Sequence, residues 1–250
     1  MRDPDKAWRL YEILDAQGLW DAEVTTRLRG LSDAGEGVAL SCSGGLDSVC
    51  LFYLLSHQYP ELLERGIVLH YNHRTRGESS CLDADWVCDL VKRAGFSFQL
   101  GEREDSGRAS EEILREARMS FFHARMKLQG LSVLLTAHHR DDVAESMLMR
   151  LCRGSGPQGL AAPRPVQAYD AYTHVRPLIH FAKSDLQAAM QEAGLSWRED
   201  PSNQSGQYFR NRLRHRVIPI LEEVSEERFR QGVDRSRQLI QEQDDAIEFY

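Results

Sequence analysis

At 250 residues, with 42% hydrophobic and 28% charged side chains, the chain has the make-up of an ordinary globular protein that buries one substantial core plus an appendage. Five cysteines, odd in number and without a Cys-x-x-Cys pair, exclude a disulfide framework and any zinc or iron–sulfur site of the usual spacing. A net charge of −7 argues against general nucleic-acid binding, and the absence of a membrane span, an apolar signal core or an acid-free transit segment leads to the expectation of a cytoplasmic protein.

In chain order, helical spacing covers residues 4–16 and 20–31, followed by an apolar strand at 37–42, a helix at 46–56, a strand at 66–71 and a helix at 81–94. A third strand fits 96–100, a long helix 110–129, a fourth strand 131–136 and a helix 141–152. Beyond them a Gly/Pro-rich stretch leads to an edge strand at 169–175 and then to helices, with 222–250 reading as one charged helix. Strand–helix alternation predicts an α/β fold: a doubly wound, parallel, five-stranded sheet with helices on both faces, followed by a helical C-terminal extension. A catalytic domain is expected over 1–217, with 218–250 as a helical extension or a linker.

Between the first strand and its helix lies Ser43-Gly44-Gly45-Leu46-Asp47-Ser48. Adjacent glycines let the backbone turn tightly and approach a ligand, while the helix start offers unpaired N–H groups and a positive dipole end, which together suit phosphate. No Gly-Lys-Ser or Gly-Lys-Thr follows, so the loop is not of the Walker type. Asp47 stands in the cradle instead. A carboxylate beside phosphates fits Mg²⁺, which takes hard oxygen ligands; dipole compensation explains a first-turn aspartate equally well.

Ligands of doubly wound sheets bind past the carboxyl ends of the strands, where this chain is strongly polar. After the second strand comes Asn72-His73-Arg74-Thr75-Arg76-Gly77-Glu78, and after the fourth His138-His139-Arg140-Asp141-Asp142-Val143-Ala144-Glu145. Asp142 and Glu145, three apart on one helical face, can converge with Asp47 on one cation, although N-capping or a solvated face accounts for each singly. Zinc is not expected, because adjacent histidines point apart and no third ligand is suitably spaced.

Among the cations, Arg153-Gly154 suits a phosphate or ribose contact, and Arg115 and Arg118 share a face of the long helix, with surface pairing to Glu111, Glu112 or Glu116 as the alternative. Residues 201–221 hold no acid; there Arg210 and Arg214 are four apart, with Arg212 and Arg216 as a second row, as expected of a phosphate-facing strip. The preceding Asp200-Pro201-Ser202-Asn203 shapes a turn where a small polar substrate can dock.

The Ser43 to Ser48 loop resembles the SGGxDS loop of the N-type ATP pyrophosphatases, or PP-loop family. Within that group the chain resembles the tRNA(Ile)-lysidine synthetases. The likeness rests on the His73 to Glu78 segment, Arg115-Glu116-Ala117-Arg118, Ala137-His138-His139-x-Asp141-Asp142-x-x-Glu145 and Arg150-Leu151-x-Arg153-Gly154-Ser155-Gly156. It continues through Arg176-Pro177-Leu178, Glu199-Asp200-Pro201-Ser202-Asn203 and Arg210-Asn211-Arg212-x-Arg214, an ordered set running from about residue 38 to 221. Asn72, Thr75 and Ser146 depart from the usual aspartate, leucine and threonine.

The resemblance implies an adenine nucleotide alpha hydrolase-like fold, ATP and Mg²⁺ as cofactors, and a ligase reaction. ATP adenylates the C2 oxygen of the wobble cytidine in the CAU anticodon of an isoleucine tRNA, and the amine of free lysine displaces AMP, changing decoding from AUG to AUA. It implies Asp47, Asp142 and Glu145 as catalytic and Mg²⁺-binding, with Ser43, Gly44, Gly45, Leu46, Asp47, Ser48, Arg153 and Gly154 on the nucleotide. His73, Arg76, Arg115, Arg118, His138, Asp200, Asn203, Arg210 and Arg214 fall to tRNA or lysine, and a homodimer is implied. Longer members of the family carry C-terminal tRNA-binding domains. The alternatives are a PP-loop tRNA thiolase, which needs a reactive cysteine that the apolar settings of these five do not suggest, and a non-catalytic tRNA- or nucleotide-binding module.

Overall fold

Val38, Ala39, Leu40, Val68, Leu69, Val133, Leu134 and Leu135 are all fully buried, as continuous apolar strands must be when both faces of their sheet are covered. The computed structural model describes residues 4–75, 77–104, 109–199 and 209–248. Helices α1 (Pro4–Asp15) and α2 (Ala22–Asp33) precede β1 (Ala39–Ser41), α3 (Leu46–Gln58), α4 (Pro60–Glu64) and β2 (Ile67–Asn72). Then come α5 (Glu78–Arg93), β3 (Phe98–Glu102), α6 (Glu111–Gln129), β4 (Val133–Leu135) and α7 (Arg140–Arg153). The chain continues through α8 (Pro157–Leu160), a hairpin of β5 (Val166–Tyr169) and β6 (Tyr172–Val175), and α9 (Lys183–Glu192). It ends in α10 (Phe209–Arg212), a π-helical turn (Leu213–Val217), α11 (Ile218–Val224) and α12 (Phe229–Glu248).

The sheet order is β3-β2-β1-β4-β6-β5. Five strands run parallel, as expected, and β5 adds a sixth, antiparallel to β6 at the edge. Leu40, Val68, Val133 and Leu135 face a layer formed with Leu14, Leu28, Phe52, Val87 and Leu186. Ala39, Ile67, Leu69 and Leu134 face Phe122 and Met126 of α6. A smaller cluster of Val143, Ala144, Met147, Ile179, Ile218 and Val233 seats α11 and α12 on α7. Among the described residues no helix is long and apolar enough to cross a membrane.

Three stretches differ from the pattern expected of them: residues 169–175 are not one edge strand, since a turn at Asp170-Ala171 divides them between β5, which takes the edge, and β6, which lies between β4 and β5. Residues 222–250 do not form one helix: Glu226 (φ 52°) and Glu227 (φ 62°) take left-handed backbone, which no glycine announces. The Glu222 carboxylate then accepts the N–H groups of Phe229 and Arg230, each at 3.1 Å, and so caps the restarted helix. The arginine strip likewise runs out of α-helical register at Leu213–Val217, where the π turn re-aims its side chains.

Helix α6 is fixed at both ends and in the middle. Ser110 accepts the Ile113 N–H at 3.3 Å, and Gly130 (φ 67°) ends the helix in the left-handed region. Where α6 crosses β3, a Cβ on Gly101 would lie 2.7 Å from the Phe121 ring. Gly101→Ala is therefore expected to destabilise the protein by about 1–3 kcal/mol through overpacking. The cost should fall close to zero in a Phe121→Ala background; equal losses of urea midpoint in both backgrounds would show that the contact does not set the spacing.

Candidate nucleotide site

The chain proceeds from β1 outward to β2 and β3, then returns to place β4 on the other side of β1. The crevice at such a reversal is where open α/β sheets bind ligands. Its rim here is the β1–α3 loop. Gly44 has φ 90°, a conformation an L side chain resists, and a Cβ there would sit 2.9 Å from Val87 Cγ2. Ser48 closes the turn: its Oγ accepts the Ser43 N–H at 3.1 Å and donates to Gly45 O at 3.0 Å. Helix α3 then starts at Gly45 with no side-chain cap, which leaves its first N–H groups for an anion.

A cleft of about 230 Å³ opens beside the loop, lined by Ser43, Asp47, Ser48, Arg115, Arg118, Thr136, His138, Asp142, His174 and Arg210. A neighbouring lobe of about 130 Å³ shares Ser43 and Arg118 and adds Asn72, His73 and Asp83. Burial, together with Arg115 and Arg210, lowers Arg118 to about 10, which leaves it charged at neutral pH. Burial and then Arg118 lower His73 to about 4, so that imidazole is neutral. Three guanidiniums on one wall suit a polyanion.

The carboxylates are held by protein cations. Arg210 donates to Asp142 Oδ1 at 2.7 Å and also to Glu145; Arg214 donates to Glu145 through Nε and, at 2.9 Å, through Nη2. Glu145 is 1% exposed. Asp142 also accepts the His139 N–H at 3.0 Å in a capping box that starts α7. Buried His139 has Nε2 3.6 Å from Asp47 and 3.4 Å from Asp142, and Nδ1 3.5 Å from Asp141. Burial alone would lower its pKa, but Asp142, Asp141 and Asp47 outweigh that and raise it to about 10. Burial would raise Asp141; the His139 side chain and the Lys183 N–H instead hold it below the usual carboxylate range.

The structure brings Ser43, Asp47, Ser48, Arg115, Arg118, His138, Asp142 and Arg210 to one cleft, with His73 in the adjoining lobe. Glu145 and Arg214 sit behind, joined to each other. Arg153 and Gly154 are exposed at the far end of α7, about 16 Å along the helix from Asp142 at 1.5 Å per residue, and do not line the cleft. Arg76, Asp200 and Asn203 lie outside the described residues. Among the described residues no group of three or more His, Cys, Asp or Glu is arranged as a metal cage, so Asp47, Asp142 and Glu145 do not converge as a triad. A magnesium ion shared with phosphates needs less, one or two carboxylates, and Asp47 fits: its Oδ1 is buried without a hydrogen-bond partner. Reading the sequence by strand ends missed Thr136 and His174 in the cleft wall, because the expected strands 131–136 and 169–175 contain these residues and do not end before them.

A parallel α/β sheet with an anion nest and a basic cleft at its reversal point defines a nucleotide-binding protein. The chain belongs to the PP-loop family, whose domain model matches residues 21–221. It is similar to proteins named tRNA(Ile)-lysidine synthase from Solibacter usitatus, at 38% identity over 188 residues, which covers 75% of this chain and 41% of that protein. The corresponding proteins of Thermotoga sp. strain RQ2 (34% over 199 residues; 77% and 47%) and Enterococcus faecalis (30% over 244 residues; 97% and 49%) are also similar. The chain thus spans less than half the length of these relatives. Among solved structures it is similar in fold to the U34-tRNA thiolase NcsA of Methanococcus maripaludis, described with its 4Fe–4S cluster. The TM-score is 0.65 and the identity 16%, with 95% of this chain and 78% of that chain covered.

Glu145→Gln removes the buried carboxylate that Arg210 and Arg214 share, leaving the two guanidiniums only Asp142 as counter-charge, and is expected to destabilise the protein by about 2–4 kcal/mol, read as a lower urea midpoint with unchanged slope. A loss under about 0.5 kcal/mol would show the pairs to be of the surface kind. In metal-free protein the His139 contribution has a defined sign. Its folded pKa of about 10 exceeds the unfolded 6.5, so the stabilisation is fully present below pH 6.5 and is lost as pH rises through 10. Urea midpoints should fall across that window, and His139→Asn should flatten the fall; parallel profiles for the two proteins would assign the pH dependence elsewhere.

Proposed function

We propose that the chain is the catalytic part of an ATP-dependent tRNA(Ile)-lysidine synthetase, acting on the wobble cytidine of a CAU-bearing isoleucine tRNA with free lysine as the second substrate. The observation that carries the reading is the cleft at the switch point, where a glycine nest and Arg115, Arg118 and Arg210 surround Asp47 and Asp142. The relatives named tRNA(Ile)-lysidine synthase support the substrate assignment.

Uncapped N–H groups at the start of α3 bind the departing pyrophosphate, and the guanidiniums of Arg115 and Arg118 neutralise charge that grows as the cytidine C2 oxygen attacks the α-phosphorus. Asp47, with Asp142 as a second carboxylate, would hold Mg²⁺, which would supply further neutralisation of the phosphate oxygens. In the second step the lysine amine attacks C2 and AMP leaves. That amine must first shed a proton, since its unperturbed pKa is about 10.4. Asp142, on the cleft wall, is placed to hold the ammonium and pass its proton to solvent, and Glu145 keeps Arg210 and Arg214 in position.

A sulfur-transferring reading is less well supported. Cys42 and Cys50 are fully buried, with burial pushing the Cys42 thiol up to about 11 and Cys50 further up; Cys152 is exposed and at the far end of α7. Neither buried cysteine is a ready nucleophile.

The test is incorporation of labelled lysine, with ATP and Mg²⁺, into an unmodified isoleucine tRNA bearing CAU, beside a methionine tRNA with the same anticodon. Incorporation into the first tRNA is expected. Pyrophosphate release without lysine incorporation would redirect the assignment to another nucleophile. Asp47→Asn should slow tRNA-dependent pyrophosphate release about 100- to 1000-fold; an unchanged rate would remove Asp47 from the phosphate site.

A further inference from the structure

Behind His138, the cleft wall contains a linear chain of polar contacts running back to a buried cation. Arg176 Nη2 lies 3.0 Å from His174 Nδ1, His174 Nε2 lies 2.8 Å from Thr136 Oγ1, and Thr136 Oγ1 lies 2.7 Å from His138 Nδ1. His174 and Arg176 are 2% and 4% exposed. The strands explain the alignment. Thr136 directly follows β4, and its N–H donates to Val175 O of β6 at 3.1 Å, so the ends of these neighbouring strands present Thr136, His174 and Arg176 side by side.

A guanidinium has no acceptor, so Arg176 fixes the direction of the whole chain. His174 Nδ1 must accept. Burial and then the Arg176 charge keep the His174 ring neutral, which puts its proton on Nε2, donating to Thr136. Thr136, having accepted there, gives its own hydroxyl proton to His138 Nδ1. His138 is also held neutral, by burial and then by Arg176 and Arg210, so the proton of its ring resides on Nε2. Among the described residues that atom has no hydrogen-bond partner and remains accessible in the cleft.

We propose that Thr136, His174 and Arg176 are positioning residues that lock His138 as its Nε2–H tautomer, so that a neutral hydrogen-bond donor faces a substrate oxygen in the cleft shared with Asp142 and Arg210. The proposal rests on the reading given above, in which that oxygen belongs to the phosphoryl group or carbonyl that gains negative charge during adenylation. With Nδ1 engaged, the accessible edge of His138 offers a proton and cannot accept one. The lock also accounts for the burial of Arg176. Its partners include Arg164 O at 2.7 Å and Gln167 Oε1 at 3.5 Å, and among the described residues no carboxylate pairs with it. An unpaired buried cation is costly, and packing alone does not call for one.

The test is ¹⁵N NMR of the histidine rings in substrate-free protein, with His138→Gln to assign the resonances. Wild type should show His138 protonated on Nε2 and bare on Nδ1. Thr136→Val, nearly isosteric, should convert it to a mixture or to the Nδ1–H form with the fold retained, and Thr136→Ser should restore the wild-type pattern. A wild-type His138 in the Nδ1–H or doubly protonated form overturns the proposal, whether or not Thr136→Val folds; so does a Thr136→Val spectrum that is unchanged. In tRNA-dependent pyrophosphate release, Thr136→Val should lower kcat about 10- to 100-fold with the KM for ATP unchanged, as expected of a contact made in the transition state. An unchanged kcat overturns the catalytic use of the lock. If wild type releases no pyrophosphate with any tRNA, the functional reading fails instead, and the ring spectra alone uphold or overturn the lock.

Discussion

A single protonated imidazole organises the site. His139 is 2% exposed and lies between Asp47 of α3 and the paired Asp141 and Asp142 of α7. Three carboxylates brought this close repel one another, and a cation among them offsets that repulsion. The arrangement extends outward from there. Asp141 accepts the Lys183 N–H at the start of α9 at 3.0 Å and pairs with Arg230 of α12 at 2.7 Å, while Asp142 reaches Arg210 of α10. Helices distant in sequence are thus indexed to one ring. Stability comes mainly from the apolar layers on the two sheet faces; the ion pairs, whose net energy is small after desolvation, decide where the chemistry stands.

The electrostatics of the cleft run against the chain as a whole. The protein carries a net charge of −7, and both termini are rich in acid, yet Arg115, Arg118 and Arg210 converge on one wall. The three guanidiniums outnumber the two carboxylates, Asp47 and Asp142, that line the same low-dielectric crevice, so a polyanion meets attraction locally although the envelope is acidic. Overall charge therefore says little about the charge of this cleft.

Much of the fold could be read from the sequence because parallel strands buried on both faces leave continuous apolar runs such as Val133-Leu134-Leu135, and because Ser110 and Gly130 mark the ends of α6 plainly. The tight turn into α3 was equally legible, since two adjacent glycines after an apolar run announce a sharp strand-to-helix connection. The break at 225–228 was not: left-handed Glu226 and Glu227 carry no glycine signal, and the cap on α12 comes from Glu222, on the preceding helix. Glu145 illustrates the limit for the site. Its spacing from Asp142 suggested a shared cation, and the cations it meets are guanidiniums from about 65 residues later, a pairing that no local pattern encodes.

The Ser43–Ser48 contacts have an entropic consequence. The turn is closed by its own hydroxyls, with Ser48 Oγ engaging the Ser43 N–H, the Ser43 Oγ and the Gly45 carbonyl, and the Arg198 N–H ties Gly44 O from outside at 2.9 Å. A loop already fixed in its binding shape does not need to be ordered when the ligand arrives. Where a floppy glycine loop surrenders about 1–2 kcal/mol of backbone entropy per residue on capture, this one surrendered it during folding. Affinity at the nest is thereby coupled to the rigidity that these two cleft-lining serines impose on the turn.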